Sequence, residues 1–188
     1  MSDPGGADVS CAVAHGADAP TFPDRTLVAV FASPVSRHLI RYGRDLGFRT
    51  ILVEPDVDRL GDIGADAPDE FRTGVDGLDG SADVILTDHH RDELGALLHE
   101  ALAGEARWIG IMGNPRFEGP HVAMLRALGD DDATIARVHR PIGLNIGSRT
   151  PPEIAVAVLA GLLADRNGRA GGLEFGLNPA PAGGLPAR

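Results

Sequence analysis

The sequence predicts a doubly wound α/β fold, a mostly parallel sheet with helices on both faces. Three observations carry this expectation. Short apolar runs alternate with amphipathic stretches at helical spacing. Their order is strand, helix, strand, repeated, and right-handed crossovers of that order make the strands parallel. The helix starts and stops are chemically marked.

Residues 1–24 are rich in Gly, Ala, Asp and Pro without periodicity and read as a disordered leader. Residues 27–31 (LVAVF) read as a buried strand. A helix follows from Pro34 to Leu46, with Val35, Leu39, Ile40 and Leu46 near one face, and Gly47 ends it. Residues 50–54 (TILVE) are a second strand, and 55–81 are irregular with room for one short strand. Residues 84–87 (VILT) are a strand, and a helix from about Arg91 to Leu102 aligns Leu94, Leu97, Leu98 and Ala101. Residues 108–112 (WIGIM) form another strand, followed by short helices near 118–128 and 131–138.

The final helix opens with Thr150-Pro151-Pro152-Glu153, a capping box with Pro at the first helical position. Ile154, Val158, Leu159, Leu162 and Leu163 form its apolar stripe. Residues 167–188 read as a disordered Gly/Pro/Ala tail, which leaves one domain over 25–166.

Composition narrows the function. The net charge of -10 argues against a nucleic-acid partner, which needs a basic face. All 17 basic residues are Arg, which excludes lysine chemistry and a P-loop lysine. A single cysteine, Cys11, excludes an intramolecular disulfide and a multi-Cys zinc site. No apolar run approaches the roughly 20 residues of a membrane span, and no signal peptide is visible. The expected compartment is the cytoplasm.

In a doubly wound sheet, ligands bind beyond the carboxyl ends of the strands. Those ends are Ser33, Glu54, Asp88-His89-His90 and Gly113-Asn114-Pro115-Arg116. A dinucleotide site needs G-x-G-x-x-G after the first strand. Phe31, Ser33 and Ser36 stand in those places, and Pro34 removes a backbone N–H. Ser33 is instead a good N-cap for the N–H of Ser36. The turn reads either as a plain capped helix start or as an altered cradle for a small anion. A standard NAD(P) site is disfavoured, although Glu54 lies near the position of a ribose-binding acid, about 20 residues on.

Adjacent His89 and His90 on an extended segment would point to opposite faces and chelate one metal poorly, so no metal site is expected. Asp88 reads as structural or as an N-cap. Arg116 suits a phosphate or carboxylate, or else solvent. Gly147-Ser148-Arg149-Thr150 offers either a second anion site or capping alone. No catalytic constellation emerges.

Residues Arg140-Pro141-Ile142-Gly143-Leu144-Asn145-Ile146-Gly147-Ser148-Arg149-Thr150-Pro151-Pro152-Glu153-Ile154-Ala155 closely resemble the P-I/V-G-L-D-I-G-x-x-T-P-E-E-I-A segment of the XdhC/CoxI family. Trp108-Ile109-Gly110-Ile111-Met112-Gly113-Asn114-Pro115-Arg116 resembles its Y-I-G-x-L/M-G-S-x-R segment, and Asp83-Val84-Ile85-Leu86-Thr87-Asp88-His89 its V-V-V-L-T-H-D strand. The likeness spans most of 27–166.

The resemblance implies a Rossmann-like three-layer sandwich. It also implies an accessory, maturation role toward a molybdenum hydroxylase of the xanthine or carbon monoxide dehydrogenase type. The implied ligand is the molybdenum cofactor (molybdopterin), which such a protein binds or helps to insert. Family members usually carry an N-terminal domain with a Cys-containing motif. No such domain is expected in residues 1–188, so a separately encoded N-terminal half is an implied partner, and a second copy of the chain is another. Asn145 replaces the usual Asp, Asp88-His89 inverts the usual His-Asp, and the usual Gly-rich first turn is rewritten.

The expected cofactor-binding groups are Ser33, Ser36, Glu54, His89, Gly113, Asn114 and Arg116. This reading favours a cofactor-binding accessory protein over an enzyme. The alternatives are an NAD(P)-dependent oxidoreductase, resting on the fold and Glu54, and a ligand-free interaction module.

Overall fold

A computed structural model describes residues 24–61, 67–113 and 119–171, together with Val13. The terminal segments expected to be unstructured lie almost wholly outside the described residues. Strands β1 (Thr26–Val30), β2 (Arg49–Val53), β3 (Glu70–Arg72), β4 (Ala82–Leu86), β5 (Trp108–Ile111) and β6 (Val138–His139) form one sheet. Every pairing is parallel and the order is β3-β2-β1-β4-β5-β6. The chain starts in the middle, builds outward to β3, returns across β1 and builds out the other way. The switch point therefore lies between β1 and β4.

The strands sort their side chains with period two. Val28, Val30, Ile51, Val53, Val84, Leu86, Ile109 and Ile111 form one core. It includes Leu94, Leu97, Leu98, Ala101 and Leu102 of helix α2 (Leu94–Ala103) and Leu125 of helix α3 (Pro120–Ala127). Leu27, Ile85 and Trp108 pack in a second core with Val35 and Leu39 of helix α1 (Pro34–Asp45). Ala155, Val158, Leu159 and Leu162 of helix α5 (Pro151–Arg166) complete it. Each large apolar side chain buried this way contributes about 1.5–3 kcal/mol. That exceeds any single cap, so packing rather than propensity holds the helices.

Several expectations need correction. Leu46 is exposed, not part of the buried face of α1. The helix has ended by then, and the Gly47 and Phe48 amides bond back to the Arg44 and Gly43 carbonyls. Residues 131–138 are not one helix. A single turn, α4 (Asp132–Ile135), is capped by Asp131, and the chain then extends into β6. Two residues are too few to show a strand period. The irregular segment after β2 holds a 3-10 turn over Val57–Arg59 as well as β3. Helix α2 begins at Leu94 rather than near Arg91, because Arg91 is used elsewhere.

The segment from Pro141 runs back over α5. Leu144 N–H donates to the Ala157 carbonyl at 3.0 Å. Gly143 has φ +89°, and a Cβ there would meet the Ala157 and Val158 backbone at 3.0 Å. Only glycine meets both demands.

Candidate functional site

The first turn has a left-handed residue at its start but none of the glycines of a dinucleotide loop. Phe31 has φ +74°, the left-handed conformation that a first glycine would supply. Its side chain is fully buried and lies beneath the Arg91 guanidinium, 4.5 Å from the ring centroid.

Ser33 caps α1 as expected. Its Oγ accepts the Ser36 N–H at 3.0 Å, while Ser36 Oγ accepts the Ser33 N–H at 2.8 Å. The Ala32 N–H donates to Glu54 Oε2 at 2.8 Å. The amides of residues 32, 33 and 36 are thus consumed internally, and Ser36 is itself buried. Ser33 also reaches Thr87 across the switch point, Oγ to Oγ1, at 3.0 Å. Thr87 in turn donates to the Val30 and Phe31 carbonyls. This bridge joins the ends of β1 and β4. Ser33→Ala removes both the cap and the bridge and is expected to cost about 1 kcal/mol. The urea midpoint measures it, and an unchanged midpoint would contradict the assignment.

Glu54 stands at the end of β2 but is buried, and its carboxylate faces inward. Oε1 accepts from Arg91 Nη2 at 2.8 Å and Asp56 N–H at 3.1 Å. Oε2 accepts from Arg91 Nη1 at 3.1 Å and from Ala32 N–H. In this arrangement the carboxylate holds the fold together and presents nothing to a ribose.

A crevice of about 420 Å³ opens beyond β4 and β5. Thr87, Asp88, His89, His90, Gly113 and Ser148 line it with apolar Met112, Ile142, Ile154 and Val158. The two histidines do not diverge as expected of an extended segment. Residues 88–90 turn, with Asp88 Oδ1 accepting the His90 N–H at 2.9 Å, and the rings sit 4.0 Å apart. Asp88 thus closes this turn and does not cap α2. Burial, then His90 and Arg140, hold the His89 pKa below the ordinary value, against the pull of Asp88. Its imidazole is therefore neutral at pH 7. Among the described residues no group of side chains could hold a metal ion.

Gly113 is explained by Arg140, whose guanidinium fills the place a Cβ would take. Arg140 brings a positive charge beside His89 and Gly113. No local signal in the sequence marks Arg140 as a site residue except its place before Pro141 in the 140–155 segment. Thr87 was missed as well. Asn114 and Arg116 lie outside the described residues. The Arg149 and Thr150 amides are already taken by Glu153 Oε2, at 2.7 and 3.1 Å, so capping accounts for that turn.

The candidate residues thus fall into two groups. Ser33 and Ser36 belong to the β1 side of the switch, and His89 and Gly113 to the β4–β5 side. The Ser33–Thr87 bond stands between them.

Strand order and strand-end crevices define a Rossmann-type domain. The chain matches the family model of the XdhC Rossmann domain over residues 27–162, and it belongs to that family. The resemblance carried by residues 108–116 and 140–155 is borne out. An uncharacterised Escherichia coli K12 protein, YqeB, is 34% identical over 109 residues, 56% of this chain and 19% of YqeB. A solved Bacillus halodurans chain described as a xanthine dehydrogenase has the same fold, with TM-score 0.62 and 23% identity. That match covers 77% of this chain and 45% of the Bacillus one. The chain thus spans less than half the length of either. No helix among the described residues is long and apolar enough to cross a membrane.

Proposed function

We propose that this protein is an accessory factor for a molybdenum hydroxylase and holds that enzyme's pterin cofactor in the crevice beyond β4 and β5. Membership of the XdhC family supports the accessory role. The observation that carries the ligand is the crevice itself. At about 420 Å³ it is of the size that holds small molecules, whose sites span roughly 300–1,000 Å³.

Its composition suits the group. Met112, Ile142, Ile154 and Val158 offer apolar contact to a flat heterocycle. His89 and Ser148 offer hydrogen bonds, and Arg140, packed against Gly113, sets a positive charge at the crevice's edge. The cofactor would be cargo here, and the chain's residues do no more than bind and orient it. The working partners would be the hydroxylase, a Cys-bearing domain of the N-terminal type and a second copy, in the cytoplasm.

The test is pterin fluorescence of the purified chain, before and after incubation with molybdopterin. Binding is expected in the wild type, and His89→Ala and Gly113→Ala are expected to weaken it at least tenfold. Gly113→Ala acts by displacing Arg140. A chain that neither retains pterin nor takes it up would overturn the proposal.

One observation favours a second reading, a docking module without a ligand. The α1 amides are consumed by their own cap. That reading expects co-purification with the hydroxylase that His89→Ala leaves intact, with no pterin in either sample.

A further inference from the structure

A second cavity, of about 320 Å³, opens on the β1–β2 side of the Ser33–Thr87 bridge. Its lining separates charge sharply. Arg37, His38 and Arg59 all face it, and among the described residues no carboxylate lines it. The whole chain has 27 acidic residues against 17 arginines, so three basic side chains gathered on one cavity run against its composition. Ile40, Leu52 and Leu60 supply apolar lining.

His38 adds an independent observation. Its Nδ1 is buried and has no hydrogen-bond partner among the described residues. Leaving a buried polar atom unsatisfied costs about 1–3 kcal/mol. His38 lines the cavity, so a turn of its ring toward a ligand oxygen there would remove that cost. Arg59 pairs with Asp56 at 3.1 Å, but both are exposed, and such a pair is worth at most about 1 kcal/mol. It yields readily to a dianion, which an arginine fork matches in geometry.

The helix start contributes little, since the amides of residues 32, 33 and 36 are already bonded. An anion here is held by side chains and not by a backbone cradle. That arrangement suits one compact, doubly charged group and not an extended pyrophosphate, which needs close backbone approach.

We propose that this cavity is a separate site for a phosphate monoester with a small apolar body. The phosphate would meet Arg37, Arg59 and His38, and the body would lie on Ile40, Leu52 and Leu60. The site is distinct from the β4–β5 crevice and does not depend on the pterin assignment.

Phenyl phosphate and inorganic phosphate are the probes, titrated into the ¹⁵N-labelled full chain and followed by amide shifts. Phenyl phosphate is expected to shift Ser33, Arg37, His38 and Leu60, to leave His89 and Gly113 unmoved, and to bind more tightly than inorganic phosphate. An Arg37→Gln/Arg59→Gln double variant is expected to bind at least tenfold more weakly, with Arg126→Gln as an unaffected control. No shifts at millimolar ligand, shifts confined to His89 and Gly113, or undiminished binding by the double variant would each overturn the proposal. The wild-type shift map decides alone if the double variant does not fold. Pterin uptake reads out at the other cavity, so either proposal can fail without the other.

Discussion

Glu54→Gln is expected to destabilise the protein by about 3–5 kcal/mol, the cost of breaking a buried ion pair. It is expected to do so nearly as fully as Glu54→Ala. The reason is the count of donors. Two arginine N–H groups and two backbone amides converge on the two carboxylate oxygens. An ionised carboxylate only accepts, whereas an amide offers one oxygen and one NH₂. Gln therefore faces two donors with a donor and leaves Arg91 buried over Phe31 without its main counter-charge. Arg91 keeps its exposed-side partner Glu93 at 3.0 Å, which limits the loss. Urea denaturation of the wild type and both variants measures the effect. A Gln variant within about 1 kcal/mol of the wild type, the net worth of an ordinary hydrogen bond, would overturn the argument.

The same pair predicts acid sensitivity. Burial pushes the Glu54 carboxyl up, but the Arg91 hydrogen bonds and the Ala32 and Asp56 amides outweigh it, and the pKa lies below the ordinary 4.5. A carboxylate depressed by folding adds stability above its unfolded pKa and loses it as pH falls through the folded value. Wild-type stability is therefore expected to fall below about pH 4.5, the unfolded value. The Gln variant, with no carboxyl at 54, is expected to fall less steeply. Parallel urea midpoints from pH 7 to 3 check this.

Phe31→Ala is expected to cost about 3–5 kcal/mol, as large-to-small changes of a buried aromatic do. Phe31→Gly is expected to be no worse, and better by up to about 1 kcal/mol. That inverts the usual order, in which Gly is the less stable by roughly 0.5–1 kcal/mol. The inversion comes from φ +74° at this residue. An L residue in that conformation carries about 1–2 kcal/mol of strain that glycine does not. In the wild type the buried ring, with Arg91 stacked on it, outweighs the strain. Denaturant midpoints of both variants test the inversion. A glycine variant clearly less stable than the alanine one would show that the strain is not stored here.

Local chemistry was legible. Ser33 and Ser36 read as a cap, and they are one. Thr150 to Glu153 read as a helix start, and α5 begins there. The Leu94, Leu97, Leu98 and Ala101 stripe is buried as expected. These features depend on neighbours within four residues, so they are written in the string. The candidate site was legible only as a set of strand ends. Glu54 was marked as a strand-end acid, but its partner Arg91 is 37 residues away, and no spacing announces that pairing. The histidine pair was read on an extended segment, and a turn closed by Asp88 brought the rings together instead.

The sequence by itself determined the fold class, the family and the helix boundaries with strong caps. Hydrophobic period and capping are local codes, and the 140–155 segment is distinctive. Only the tertiary structure decided which polar groups are available to a ligand. The rewritten turn at 31–36 shows why. Its cap was legible and its remaining amides and hydroxyls read as open to a small anion, yet folding brings Glu54, Thr87 and Arg91 against it from other strand ends. Burial requires those groups to satisfy one another, and what is left for a ligand is the pair of cavities on either side.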